Sequence, residues 1–468
     1  MPIKLIVSIC LFICVIPTLK SQEVFKYAIF FKNKGIDNPY SKKKPQQFLS
    51  ARSIERKRIM KISITKEDLP VNPRFITEIK SKIPNARIVN DSRWFNYIVV
   101  QTEDTNWLQS VKSLRQVKEC KLIYSGRKPK TTETRVFTPS ISGSDISKLN
   151  LSNIPYGAAD FQVKSLKLNE LHQKNQLGQG IVIAVLDGGF SNVDKIEAFH
   201  HLRQTNRILG TYDFAANEAE VYGDGEHGTM VLGCLAGYVD SKILGTAPLA
   251  SYYLLRTEEG ASETVSEEYN WVSGAEYADS VGADLINSSL GYTKFDKNSG
   301  SYTYADMNGK TALVSRGADK AVSKGILVVN SAGNSGNDAW KYIGAPADAQ
   351  KVFSIGATNK SNQRVAFSSM GPTSDGRIKP NVMALGANAA VINSSGAVAS
   401  ANGTSFSSPI LCGAMACLMQ NHKNLKPELM MRAVEASSSE AANPTAEMGY
   451  GIPDFLTADK LLSEKKKK

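Results

Sequence analysis

Between residues 181 and 358 the chain alternates short, continuous apolar runs with longer mixed stretches. The runs are "IVIAVLD" (181–187), "SYYLLRT" (251–257), "ADLINSS" (283–289), "GILVVNS" (325–331) and "KVFSIGAT" (351–358). Their apolar residues are neighbours rather than alternate positions, which marks strands buried on both faces. Helix-like segments lie between several of them, including "EEYNWVSGAEYADSVG" (267–282) and "TALVSRGADKAVSKG" (311–325). The pattern predicts a mainly parallel sheet covered by helices on both sides, an α/β architecture.

Nearer the N-terminus the pattern differs. A strand-like run "VFKYAIFF" (24–31) precedes a basic helical stretch at 46–60. Strand or hairpin material follows at 86–102, a helix at 106–117 and a strand at 118–124. This β-α-β-α-β order predicts a small two-layer α+β domain. Residues 125–153 then lose the hydrophobic period and fill with Ser, Thr, Lys and Pro, as an exposed, protease-accessible linker does. At the N-terminus Lys4 precedes the apolar run "LIVSICLFICVI" (5–16), which is short for a bilayer span and has the form of a secretory signal cut after Ser21. The expected organisation is a signal at 1–21, a small domain at 22–125, a linker at 126–155 and a large α/β domain at 156–468.

The net charge of +12 suggests nucleic acid until it is divided. Residues 1–150 carry +16 and residues 151–468 carry −4. A nucleic-acid footprint needs basic residues clustered on one binding face, so no nucleic-acid partner is expected. Outside the signal the cysteines are Cys120, Cys234, Cys412 and Cys417, with no CxxC pair, so neither a zinc site nor a disulfide framework is expected.

In open α/β sheets, sites form at the carboxyl ends of the strands. One run ends in Asp187 within "LDGGF", another in "NSSLGY" (287–292), a third in "NSAGNSG" (330–336). These ends should share one rim. His227, one of five histidines, stands in "GDGEHGTMVLG" (223–233), and "NGTSFSSP" (402–409) runs into the apolar "ILCGAMACLM". Taken alone, His227 reads as a capping or core histidine. Ser405, Ser407 or Ser408 alone reads as a helix cap, with Pro409 in the first turn. Together with Asp187 and Asn334, His227 and Ser405 point instead to acyl transfer. A serine attacks only when a neutral imidazole takes its proton, and the imidazole needs a carboxylate on its other nitrogen.

These blocks resemble the subtilisin-like serine proteases, or subtilases, over roughly residues 156–458. "IAVLDGG", "HGTMVLG" and "NGTSFSSP" are similar to the blocks around the family's catalytic Asp, His and Ser, in the same order. "NSAGNSG" resembles the block of the oxyanion-hole Asn, and "NSSLGY" the strand that pairs with substrate. "FSSMGPTSDGRIKPNV" (367–382) and "GYGIPD" (449–454) resemble further landmarks. The chain departs from the family at Met230, Leu232, Asn381 and Leu385, which changes packing but removes no catalytic group.

The resemblance implies a subtilisin-like three-layer fold preceded by a ferredoxin-like pro-domain that assists folding and inhibits the enzyme before it is cut away. It implies a serine-type endopeptidase with Ser405 as nucleophile, His227 as base and acid, and Asp187 orienting it. Asn334 and the Ser405 backbone N–H would hold the oxyanion, with Ser289, Leu290 and Gly291 pairing with substrate. Partners would be protein or peptide substrates and the chain's own pro-domain. No cofactor is required; subtilases often bind structural calcium, but no ligand set maps onto this sequence. The product is expected outside the cell or in the periplasm, with no membrane anchor after signal cleavage. The rival readings are a catalytically inactive subtilase-fold binding protein, an esterase, and a nicotinamide oxidoreductase. The esterase lacks support because "GTSFS" is not GxSxG. The oxidoreductase rests on Gly223, Gly225 and Gly228, which follow no buried strand.

Overall fold

The computed structural model describes residues 23–127, 146, 149–260, 262–296 and 300–466. The signal segment and most of the 126–155 linker lie outside the described residues, as does the expected cleavage point after Ser21.

Two sheets organise the described chain. The first contains β1 (Glu23–Phe31), β2 (Arg87–Ser92), β3 (Tyr97–Thr102) and β4 (Val117–Arg127), in the order β2-β3-β1-β4. Its pairings are all antiparallel. Helices α1 (Ala51–Ile59) and α2 (Pro73–Lys82) join β1 to β2, and a short helix at Leu108–Lys112 leads into β4. This is the ferredoxin-like arrangement expected for the small domain. Helix α2 is an element the apolar spacing did not predict. Its start is nonetheless written in the sequence, because Asn72 accepts a hydrogen bond from the Arg74 amide at 3.0 Å and Pro73 opens the first turn.

The second sheet is wholly parallel. Its strands are β5 (Val182–Asp187), β6 (Ile208–Asp213), β7 (Ser251–Arg256), β8 (Leu285–Ser288), β9 (Leu327–Ser331), β10 (Phe353–Thr358) and β11 (Val382–Leu385). They lie in the order β11-β10-β9-β8-β5-β7-β6. The two edge strands, β6 and β11, were not predicted. β6 is half-exposed along most of its length, and β11 spans only Val382–Leu385.

The continuous apolar runs are explained by the two faces of β5. Ile183 and Val185 enter one core with Val231 and Leu232 of α3 (His227–Ala236) and Ile410 and Leu411 of α6 (Thr404–His422). Val182, Ala184 and Leu186 enter a second core with Val272 and Ala275 of α4 (Val265–Val281) and Val314 of α5 (Leu313–Ser323). The expected exposure of the linker is not found at its C-terminal end, where Leu149 and Leu151 pack on the first core.

The small domain docks on the outer face of α4. Trp94 and Tyr97 join the second core, with the Tyr97 and Tyr269 rings 5.1 Å apart. Around this apolar centre ion pairs cross in both directions: Lys324 and Lys320 of the large domain pair with Asp68 and Glu67, and several cations of the small domain meet carboxylates of the large one. Asp279, fully buried, receives Arg56 at 2.5 Å and Arg93 at 2.8 Å, with Lys57 on the same oxygen as Arg56. Burial alone would raise the Asp279 carboxyl, but the three cations outweigh it and hold it below the ordinary carboxylate range. Lys57 is itself lowered to about 8 by burial, against the pull of Asp279. Lys26 reaches Glu259 at 2.5 Å, and Arg52 pairs with Asp284. Part of the basic excess of residues 1–150 is thus placed against carboxylates of the large domain.

Replacing Asp279 by Ala leaves three cations without their shared counter-ion. Breaking a buried pair from one side costs about 3–5 kcal/mol. Urea unfolding of the intact chain is expected to show a loss of that order for Asp279→Ala. An unchanged midpoint would mean that these cations are solvated by other routes.

Candidate active site

The parallel register brings the predicted residues to one rim. β5, β8 and β9 are neighbours, so Asp187, the Ser288–Gly291 segment and the loop carrying Asn334 all emerge at the same edge of the sheet. Helix α6 approaches that edge from beneath, N-terminus first, and presents Ser405 there.

His227 is the first residue of α3, and its Nδ1 lies 2.7 Å from Asp187 Oδ1. Asp187 is fully buried and its Oδ1 also accepts from the Gly188 amide at 2.8 Å. The imidazole is held close against the β5 loop because Gly228 has no side chain. A Cβ at that position would stand 2.3 Å from the Gly189 carbonyl oxygen. On its other side the His227 ring meets Phe406, centroid to centroid at 5.9 Å. Burial pushes the His227 pKa down, but the charge of Asp187 and the hydrogen bond to it outweigh that, so the net shift is upward from 6.5.

The capping reading of the serines is corrected. The N-cap of α6 is Gly403, with no side-chain cap, and Ser405 lies inside the first turn. Gly403 has φ +149° and ψ 149°, a conformation open in practice to glycine alone. Pro409 is not in the first turn either; it stands inside the helix, where its ring nitrogen cannot bond the Ser405 carbonyl. Ser289 replaces that donor, its Oγ giving a hydrogen bond to the Ser405 carbonyl at 2.8 Å. The Ser405 hydroxyl in turn donates to the Ser289 carbonyl at 3.3 Å.

Asn334 is fixed by a residue that the sequence reading did not single out. Thr404 donates to Asn334 Oδ1 from both its amide and its Oγ1, each at 2.9 Å. A backbone N–H can only donate, so the bonded atom is the amide oxygen. The Nδ2 group is left without an acceptor among the described residues and stands over Gly403, 3.6 Å from where a Cβ there would be. Thr404 Oγ1 also accepts from the Gly333 amide at 3.1 Å. The signal for this role was present in the "GTS" triplet.

A cleft of about 550 Å³ opens beside His227, with Ser289, Leu290 and Gly291 on one wall and Glu258, Glu263 and Glu267 on the other. The Leu290 carbonyl is occupied by Asn330 Nδ2 at 3.0 Å, which leaves Gly291 as the open backbone of that wall. Burial, reinforced by neighbouring carboxylates, raises Glu263 to about 7 and Glu267 to about 8. Among the described residues no cluster of His, Cys, Asp or Glu is suited to a metal ion. Cys234, Cys412 and Cys417 are buried free thiols. No helix of the described residues is long and apolar enough to cross a membrane.

Comparison with known proteins gives a consistent result. The model of the subtilase family matches residues 178–451, and that of a peptidase S8 propeptide domain of Bacteroidota matches residues 26–136. Subtilisin NAT of Bacillus subtilis subsp. natto is 32% identical over 295 residues, covering 62% of this chain and 68% of its own. Subtilisin E of Bacillus subtilis (strain 168) shows the same identity and coverage. The crystal structure of MycP1 with the N-terminal propeptide removed aligns over 64% of this chain and 96% of its own, at 21% identity and a TM-score of 0.49.

The balance at His227 is testable. NMR titration is expected to place its pKa above 6.5, the ordinary histidine value. Asp187→Asn removes the raising influence and leaves burial, so the pKa should fall below that of the parent chain. An equal or higher value in Asp187→Asn would show that the carboxylate does not govern the imidazole.

Proposed function

Because this chain belongs to the subtilase family of serine endopeptidases and carries that family's propeptide domain, we propose that Asp187, His227 and Ser405 form its catalytic triad. The observation that carries the assignment is the 2.7 Å contact of His227 with buried Asp187, at the rim where Ser405 and Asn334 also emerge. In this reading the Ser405 Oγ, which donates to the Ser289 carbonyl at 3.3 Å, turns to His227 Nε2 for reaction. His227 takes the proton as Oγ attacks the peptide carbonyl, and Asp187 stabilises the imidazolium. Asn334 Nδ2 and the Ser405 amide hold the oxyanion, helped by the partial positive charge at the start of α6. His227 then protonates the leaving amine, and water releases the acyl group by the same route in reverse.

The substrate backbone would add as a strand along Gly291, with Ser289 and Leu290 flanking it. The small domain serves as inhibitor until it is removed by self-processing in the linker, and the mature enzyme acts after export, outside the cell or in the periplasm. The inactive-scaffold reading has no observation in its favour. The catalytic steps draw on these side chains alone and require no cofactor.

Replacing Ser405 by Ala should abolish peptide hydrolysis and labelling by a serine-reactive phosphonate, and leave an uncut precursor. The wild-type product should begin between Gly126 and Tyr156, as read by N-terminal sequencing and intact mass. Full activity with the linker intact would sink the processing reading while leaving the triad standing.

Asn334→Ala should fold normally and lose about 10²–10³-fold in kcat, the usual effect of removing one oxyanion donor. An unchanged kcat would make Asn334 a turn residue only.

A further inference from the structure

Behind the nucleophile lies a closed circuit of side-chain hydrogen bonds that none of the assigned roles uses. It begins with Pro409. Without an N–H at that position, the Ser405 carbonyl loses its helical partner, and Ser289 Oγ supplies the missing donor at 2.8 Å. A hydroxyl has one proton, so once Ser289 donates to Ser405 it can only accept elsewhere. Asn287 Nδ2 meets that need at 3.3 Å. The Asn287 carbonyl oxygen is taken in turn by Ser408 Oγ at 3.0 Å, and Ser408 lies one helical turn beyond Ser405. Asn287 and Ser408 are fully buried, and Ser289 is 5% exposed. The circuit thus ties the end of β8 to α6 at two points, the carbonyl of the reacting residue and a hydroxyl one turn beyond it.

Resting on the catalytic assignment of Ser405, we propose that Asn287 is a positioning residue for the nucleophile. It orients the Ser289 hydroxyl toward the Ser405 carbonyl and so fixes the backbone from which Oγ and the oxyanion-binding amide project. The requirement is directional. At this place the side chain must donate to Ser289 and accept from Ser408, and an amide does both. A carboxylate of the same shape cannot: Asp at 287 would accept from Ser289 and turn its proton away from Ser405. Asn287 lies beneath the substrate wall rather than on it, so its influence falls on the geometry of attack. Misplacement of a reacting group by about 1 Å costs on the order of 100-fold in rate.

Asn287→Ala and Asn287→Asp should therefore each lower kcat at least tenfold while changing KM less than threefold. Phosphonate labelling of Ser405 should still reach one equivalent per chain, slowed by the same factor as kcat. Ser289→Ala should show a similar loss, and the Asn287→Ala/Ser289→Ala double variant should lose little more than either single change. If the Asn287 variants do not fold, the Ser289→Ala and Ser408→Ala pair carries the same test, because coupling through Asn287 makes their effects on kcat less than additive. Wild-type kcat in Asn287→Asp, or strictly additive losses in either cycle, would overturn the proposal. Labelling that persists in Ser405→Ala would instead overturn the catalytic assignment, so the two failures are distinguishable.

Discussion

A helix buried nearly all round meets solvent only at its ends, and α6 is such a helix. From Thr404 to Met419 its side chains are enclosed, beneath the parallel sheet and against α3. The first core is built around it, so its axis cannot shift without disturbing that core. Its N-terminus arrives where β5, β8 and β9 deliver their carboxyl ends, because parallel strands place every such end on the same edge. The site follows from this constraint. A serine in the first turn of an immobile helix is held in place by the largest core of the protein rather than by a loop.

The same region shows how the chain manages polar groups inside that core. Asp187 is fully buried, and both of the donors that reach its Oδ1 are themselves placed by glycine-rich turns. An unpaired carboxylate there would be strongly disfavoured. With His227 beside it, the charge instead raises the affinity of the imidazole for a proton. The carbonyl left free by Pro409 and the amide of Asn334 are handled in opposite ways. The first is satisfied by Ser289, while the second keeps a donor in reserve over Gly403.

Much of this was legible in the sequence because the relevant signals are local. Continuous apolar runs announced the buried strands, and what followed each run gave Asp187, Ser289–Gly291 and Asn334. The parallel rule then predicted their convergence. The parts that escaped depend on non-local partners. β6 lies at one edge, where the apolar pattern weakens, and β11 at the other is fully buried but spans only four residues. The serines of "NGTSFSSP" suggested a capped helix, since nothing local reveals that a glycine with φ +149° would begin the helix instead. The role of Asn287 requires knowing which side chains of α6 face the end of β8. The place of Arg56, Lys57 and Arg93, three of the cations in the basic N-terminal region, around one carboxylate of α4 is likewise non-local.

Helix α4 joins these two themes. Its outer face carries Glu276 and Asp279, which bind the small domain, and its inner face carries Trp271, fully buried against the sheet. Trp271 Nε1 donates to Ser288 Oγ at 3.0 Å. Ser288 stands between Asn287 and Ser289, the two residues of β8 and its exit that hold the first turn of α6. The small domain therefore packs on a helix that is itself bonded to the strand end behind the nucleophile. Pairing a strand such as β8 with β5 and β9 closes long loops, and parallel sheets acquire such contacts late and slowly. The small domain presents Arg56, Lys57 and Arg93 as a counter-surface for the carboxylates of α4. The contacts thus run in series from the small domain to α4, from α4 to the end of β8, and from β8 to the helix that carries Ser405.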